Sequence, residues 1–142
     1  LGFTGGNNAI LPTITSRYIA FVNNDVEVTE KWLTPLIKIL ERERRVAVVQ
    51  PKILWKKNKK YFDYSGACGG FIDQLGYPFT RGRIFNTLER DKGQYDKVHD
   101  IFWASGAAMV IRTGILKKIG NYLPITDDNP RSEYFLLRLN FT

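Results

Sequence analysis

The feature that most limits how this chain can fold is a change of hydrophobic period around one polar triplet. In "YIAFVNNDVEV", Tyr18 to Val28, an apolar run stops at Asn23, Asn24 and Asp25. Its length and flanking breakers predict a short strand over residues 18–23, with Ile19, Ala20, Phe21 and Val22 buried. Beyond Asp25 the apolar residues recur at helical spacing. Trp32, Leu33, Leu36, Ile37 and Leu40 share a face, while Glu30, Lys31, Lys38, Glu41 and Arg42 fall mostly on others. Thr29 is placed to cap this helix, Glu30 suits the positive end of its dipole, and Arg42, Arg44 and Arg45 suit the negative end. One amphipathic helix is therefore expected over residues 29–44. "VAVVQPKILW", Val46 to Trp55, follows as a strand bent at Pro51. Strand, helix, strand in this order is a βαβ-type unit and argues for an α/β sheet.

The remaining segments are less regular. Gly2 to Asn8 reads as a Gly/Thr/Asn-rich loop, and Pro12, Ile14 and Thr15 weaken any helix between Asn8 and Arg17. Between Tyr61 and Asp100, Gly66, Gly69, Gly70, Gly76, Gly82 and Gly93 punctuate a loop-rich region with room for a β-hairpin. Its aromatics (Tyr61, Phe62, Tyr64, Phe71, Tyr77 and Phe79) fit a sheet edge or a ligand groove, with core packing the commoner use of any single one. Ala107 to Arg112 reads as a strand, and Thr113 to Ile119 as a short helix closed by Gly120.

Composition narrows the classes. With 44% hydrophobic and 13% aromatic residues in 142, the chain can bury one domain core and is not a disordered segment. A single cysteine, Cys68, excludes an internal disulfide and a cysteine metal cluster, and a reducing compartment is the simplest reading. The lone His99 reads as a surface or packing residue, and Cys68 as a small buried hydrophobe. The net charge of +7 favours an anionic partner. "WKKNKKY", Trp55 to Tyr61, concentrates four lysines in one loop, either a solvated turn or a patch for peripheral contact with an anionic membrane. Nucleic acid is a poor fit, since no helix-turn-helix, zinc-finger or RNP-type motif accompanies the charge.

Two stretches have chemistry in them. Asp25 ends a strand at the carboxyl edge of an α/β sheet, where such sheets bind ligands. A hard divalent cation, Mg or Mn, takes one or two carboxylates plus substrate phosphates, so Asp25 with a diphosphate would suffice. Glu27 reaches the same side if the chain stays extended. The competing reading is that Asn-Asn-Asp simply makes a turn or caps the helix. In "GFTGGNN", Gly5 and Gly6 would let backbone approach a ligand, and Asn7 and Asn8 would supply amides. This is neither a Walker A loop nor a GxGxxG fingerprint, and a plain turn is an equal reading.

Taken together, "GFTGGNN", "YIAFVNNDVEV", the Trp-Leu helix, "VAVVQPKIL", "DYSGACGGFIDQLGYPFTRG" and "FWASGAAMVIRTGIL" resemble, in collinear order, the family 2 glycosyltransferases, in particular the rhamnosyltransferase-like branch. The resemblance covers residues 1–120 and leaves 121–142 as a divergent tail. It implies a partial GT-A fold, a nucleotide-binding α/β sandwich whose mixed sheet is flanked by helices. It implies transfer of a sugar, with inversion, from a nucleotide-sugar donor to a glycan or lipid-linked acceptor of the cell envelope, at the cytoplasmic membrane face. It implies that Asp25 holds a divalent metal on the donor diphosphate, beside Asn23 and Asn24. Gly5, Gly6, Asn7 and Asn8 would then lie along the donor, and Trp103, Ser105 and Gly106 beside the acceptor.

The sequence departs from that family after Gly120. The expected Glu-Asp pair, whose Asp would be the catalytic base, is replaced by Arg131 and Ser132, with Asp127 and Asp128, in an expected turn before Pro130, as the substitute bases to consider. The resemblance also implies that the first third of the fold, with the nucleobase-binding strand and its Asp, would lie ahead of Leu1. The expectation is therefore an internal piece of a transferase, with an inactive relative that keeps part of the donor site as the alternative.

Overall fold

The structure is a computed structural model that describes residues 2–64, 66–119 and 134–135. Gly120, Asp127, Asp128, Arg131 and Ser132 lie outside the described residues.

The centre is a three-stranded sheet built from β1 (Tyr18–Val22), β2 (Val48–Val49) and β8 (Ala108–Arg112), in the order β1-β8-β2. Between β2 and β8 lie β3 (Gly70–Ile72), β4 (Pro78–Thr80), β5 (Arg83–Ile84), β6 (Thr87–Leu88) and β7 (Ala104–Ser105). Strand β8 pairs antiparallel with both neighbours, Ile19 and Val48 lying opposite Ile111, and Ala20 and Val49 opposite Val110. Strands β1 and β2 therefore run in the same direction without touching. The expected strand–helix–strand unit exists, but β8 sits between its two strands, and the pairings among the described residues are antiparallel.

Alternation along the strands makes two cores. Ile19, Phe21, Met109 and Ile111 turn to one face, where they meet Leu11 and Leu116. Val49 and Val110 turn to the other, against Leu36 and Leu40 of α2 (Leu33–Arg42). Leu116 belongs to α3 (Thr113–Lys118), so helices flank the sheet on both sides. Met109 and Ile111 are wholly buried on one face and Val110 on the other, which explains why β8 reads as unbroken apolar sequence. Strand β1 differs from expectation. Ile19 and Phe21 are buried, but Ala20 and Val22 are exposed, because α2 covers Tyr18 and stops short of them.

Helix α2 also begins later than its pattern suggests. Residues 29–32 form a turn in which Lys31 takes φ 62°, the Trp32 N–H donates to the Thr29 carbonyl, and Thr29 does not cap the helix. Pro35 is the cause: in a helix its ring would collide with the carbonyl four residues back, that of Lys31, so regular helix cannot start earlier. At the other end, Arg112 of β8 satisfies the exposed carbonyls. Its guanidinium donates to Leu40 O, to Glu43 O at 3.1 Å and to Val46 O at 2.7 Å. Helix and sheet are thus joined by one side chain.

The segment expected as a glycine-rich loop is instead helix α1 (Gly2–Ile10), continued by a 3-10 turn over Leu11–Thr13. Each glycine costs a helix about 1 kcal/mol relative to alanine, a preference small enough for the core docking of Leu11 to override. The region from Tyr61 to Asp100 does contain hairpins, β3–β4 and β5–β6. The Asp73 carboxylate accepts from the Leu75 and Tyr77 N–H groups, both at 2.9 Å, and closes the first. A two-residue strand β9 (Tyr134–Phe135) pairs with β7. No described helix is long and apolar enough to cross a membrane.

Replacing Arg112 by Met keeps the stem and removes the donors. It should lower stability by about 2–3 kcal/mol, the cost of leaving helix-end carbonyls unsatisfied, read as a lower denaturant midpoint at unchanged slope.

Candidate functional site

At the carboxyl end of β1 the chain leaves the sheet through a tight turn. The Asn23 N–H still donates to the Ala107 carbonyl at 3.0 Å, and the Val26 N–H then donates back to Asn23 O at 3.1 Å. That turn puts Asp25 on the surface, lining a cleft of about 870 Å³. Pockets for small ligands run roughly 300–1,000 Å³, so a nucleotide-sugar is of suitable size. The cleft is bounded by residues 25–29 and Trp32, by residues 51–57, and by Ser105, Gly106 and Ala107 at the turn between β7 and β8. Asn23, Asp25, Ser105 and Gly106 thus share one cleft despite their separation in sequence. Among the described residues Asp25 makes no ion pair.

The Ser105 wall is held from behind. Its N–H donates to Gln50 Oε1 at 2.7 Å, and Gln50 Nε2 donates to Gly66 O at 2.7 Å. The Ser105 hydroxyl accepts from the Ala107 N–H at 3.3 Å. Trp103 does not line the cleft. Its indole is buried against two glycines: a Cβ on Gly70 would lie 1.8 Å from the ring, and one on Gly66 3.1 Å from it. Gly70 N and O also bond the Trp103 and Phe102 backbone. Trp103 therefore sets the height of the Ser105 turn by packing.

The donor-side residues divide. Gly5, Gly6, Asn7 and Asn8 belong to α1 and are not among the cleft's lining residues, and Asn24 stays outside it as well. A Cβ on Gly6 would meet nothing within 4 Å, so the described fold places no close-approach demand there. Glu27 does line the cleft, but its carboxylate faces lysines: Lys56 Nζ at 3.0 Å and Lys59 Nζ at 3.4 Å. Hydrogen bonds from Lys56, then Lys59, hold its pKa below the usual carboxylate value. Two of the four loop lysines are thus engaged within the protein. Lys52 is clamped by Asp91 at 2.7 Å and Asp96 at 2.6 Å. Burial alone would lower its pKa, but the two carboxylates raise it overall.

Sequence reasoning did not reach Gln50, Asp63, Lys52 or Arg112. Gln50 had a signal, a single amide inside an apolar strand. Asp63, a half-buried carboxylate in the cleft lining, had none. For a divalent ion, the described residues contain no group of three or more His, Cys, Asp and Glu side chains. Asp25 at the cleft mouth fits the sparser arrangement in which one carboxylate shares the ion with phosphate oxygens and water. Cys68 is half-buried, and burial pushes its thiol up to about 12.

The cleft opens beyond the carboxyl end of β1, with the exposed carboxylates of Asp25 and Glu27 and a lysine loop along its walls. The family model for glycosyl transferase family 2 matches residues 1–120, and the chain belongs to that family. Membership implies a GT-A-like α/β fold, a nucleotide-sugar donor and an acceptor. No curated protein and no solved structure gives a match.

Two outcomes follow from the packing. Gly70→Ala should cost about 1–3 kcal/mol by overpacking against Trp103, read by thermal melting. Cys68 should alkylate at pH 8.5 at least about a hundredfold more slowly than free cysteine, because its thiolate is scarce there. Mass spectrometry of iodoacetamide-treated protein measures the rate.

Proposed function

We propose that this chain forms the substrate cleft of a metal-dependent, inverting glycosyltransferase of the rhamnosyltransferase-like branch, acting on a nucleotide-sugar donor and a glycan or lipid-linked acceptor. The observation that carries the reading is the meeting of Asp25 with Ser105 and Gly106 in one cleft, within a chain that belongs to a glycosyltransferase family.

In this reading the donor diphosphate lies at the Asp25 turn, and the acceptor lies toward Ser105 and Gly106. The anomeric carbon–oxygen bond breaks, and its electron pair leaves with the nucleoside diphosphate. The acceptor hydroxyl forms the new bond from the opposite face, and its proton passes to a carboxylate base. Asp25 would hold Mg or Mn, which when bound supplies Lewis-acid neutralisation of the leaving diphosphate. Trp103, packed on Gly66 and Gly70, and Gln50, bonded to Ser105, keep the acceptor wall rigid. Such preorganisation lowers the cost of placing the attacking hydroxyl.

Calorimetry with a panel of nucleoside diphosphates, with and without Mn²⁺, tests the site. Loss of an outer-shell partner alone costs about 10- to 100-fold in metal affinity, so Asp25→Ala should abolish the metal-dependent part of the binding. Equal affinity with and without metal, in both wild type and variant, would remove Asp25 from the site.

A further inference from the structure

We propose that the lysine loop, residues 56–60, is a diphosphate-gripping arm, and that Glu27 is its latch. With the cleft empty, Lys56 and Lys59 rest on the Glu27 carboxylate. A diphosphate bound at the Asp25 turn takes both ammonium groups from it. The inference rests on the cleft being a donor site, and it adds the residues that exchange partners there.

Four observations carry it. First, Lys56, Lys57 and Lys59 line the same cleft as Asp25, and Glu27 lies in the chain segment that follows the Asp25 turn. Second, the loop backbone is stiff. The Trp55 N–H donates to Tyr61 O at 2.9 Å, the Asn58 N–H to Trp55 O at 3.0 Å, and the Tyr61 N–H to Asn58 O at 3.0 Å. Its base is fixed by the bridge from Leu54 to the fully buried Phe62. The exchange therefore needs only side-chain rotation and no loop rearrangement. Third, the latch is weak. The paired side chains keep 55–69% of their surface in solvent, and exposed pairs of this kind contribute little. Fourth, the charges favour the ligand. One carboxylate faces two ammonium groups, and Lys57 adds a third with no ion pair among the described residues. A diphosphate brings more negative charge and more acceptor oxygens than Glu27 can offer.

A latch differs from a merely repulsive carboxylate, and from a metal ligand, in how mutations combine. Binding of inorganic pyrophosphate and of a nucleoside diphosphate is measured by calorimetry, in EDTA and in Mn²⁺, with thermal melting to confirm folding. Lys56→Gln with Lys59→Gln should weaken binding by about tenfold and flatten its salt dependence. Glu27→Gln should tighten binding by about two- to fivefold in the wild-type background, and change nothing once both lysines are gone. A gain that persists without the lysines makes Glu27 only a repelling charge and overturns the latch. A loss of affinity with Glu27→Gln in Mn²⁺ makes it a cation ligand and overturns it equally. If wild type binds neither probe, the donor-site reading fails and the arm with it. Intact binding that ignores all three substitutions removes the arm alone.

Discussion

A strand with no solvent face must lie between two partners and between two layers. Strand β8 meets that condition: Met109 and Ile111 enter one core while Val110 enters the other. Its antiparallel insertion between β1 and β2 brings the end of β1 next to the start of β8. The cleft is a direct result, because Asn23 and Asp25 leave the sheet where Ser105 to Ala108 enter it. The pairings that bury the apolar strand thus also bring the two sides of the cleft together.

The site is supported by polar side chains reaching between elements. Arg112 ties the end of α2 to β8, and Gln50 ties the Ser105 turn to Gly66. Each satisfies backbone groups that would otherwise be costly to bury. The glycines at 66 and 70 admit the Trp103 ring at distances that no other residue allows at Gly70. Of the glycines between residues 61 and 100, Gly66 and Gly70 thus serve packing at this wall.

Where period carried information, the sequence was readable. The position of β1, the apolar face of α2, and the order from β8 to α3 were all legible in run length or helical spacing, although the run in β1 gave no sign that Ala20 and Val22 would be exposed. The start of α2 was also encoded, in Pro35, but as a clash with Lys31 and not as a cap. Helix α1 was hidden because Gly5, Gly6, Asn7 and Asn8 carry weak local preferences that the anchoring of Leu11 outweighs. Asp25 could be placed at a strand end from sequence. Part of its company could not, since Lys52 and Asp63 arrive from distant segments with no local signal. Glu27 shows the same limit: nothing local to it announces that Lys59, 32 positions on, will claim its carboxylate.

The pairing of Tyr134–Phe135 with Ala104–Ser105 has a bearing on how the chain can be cut. The family match stops at residue 120, yet the ribbon that leads into the Ser105 turn finds its neighbour well beyond that limit. Trimming the polypeptide at the match boundary would strip this ribbon's flank and bare a sticky seam of amides and carbonyls beside the cavity, inviting self-association.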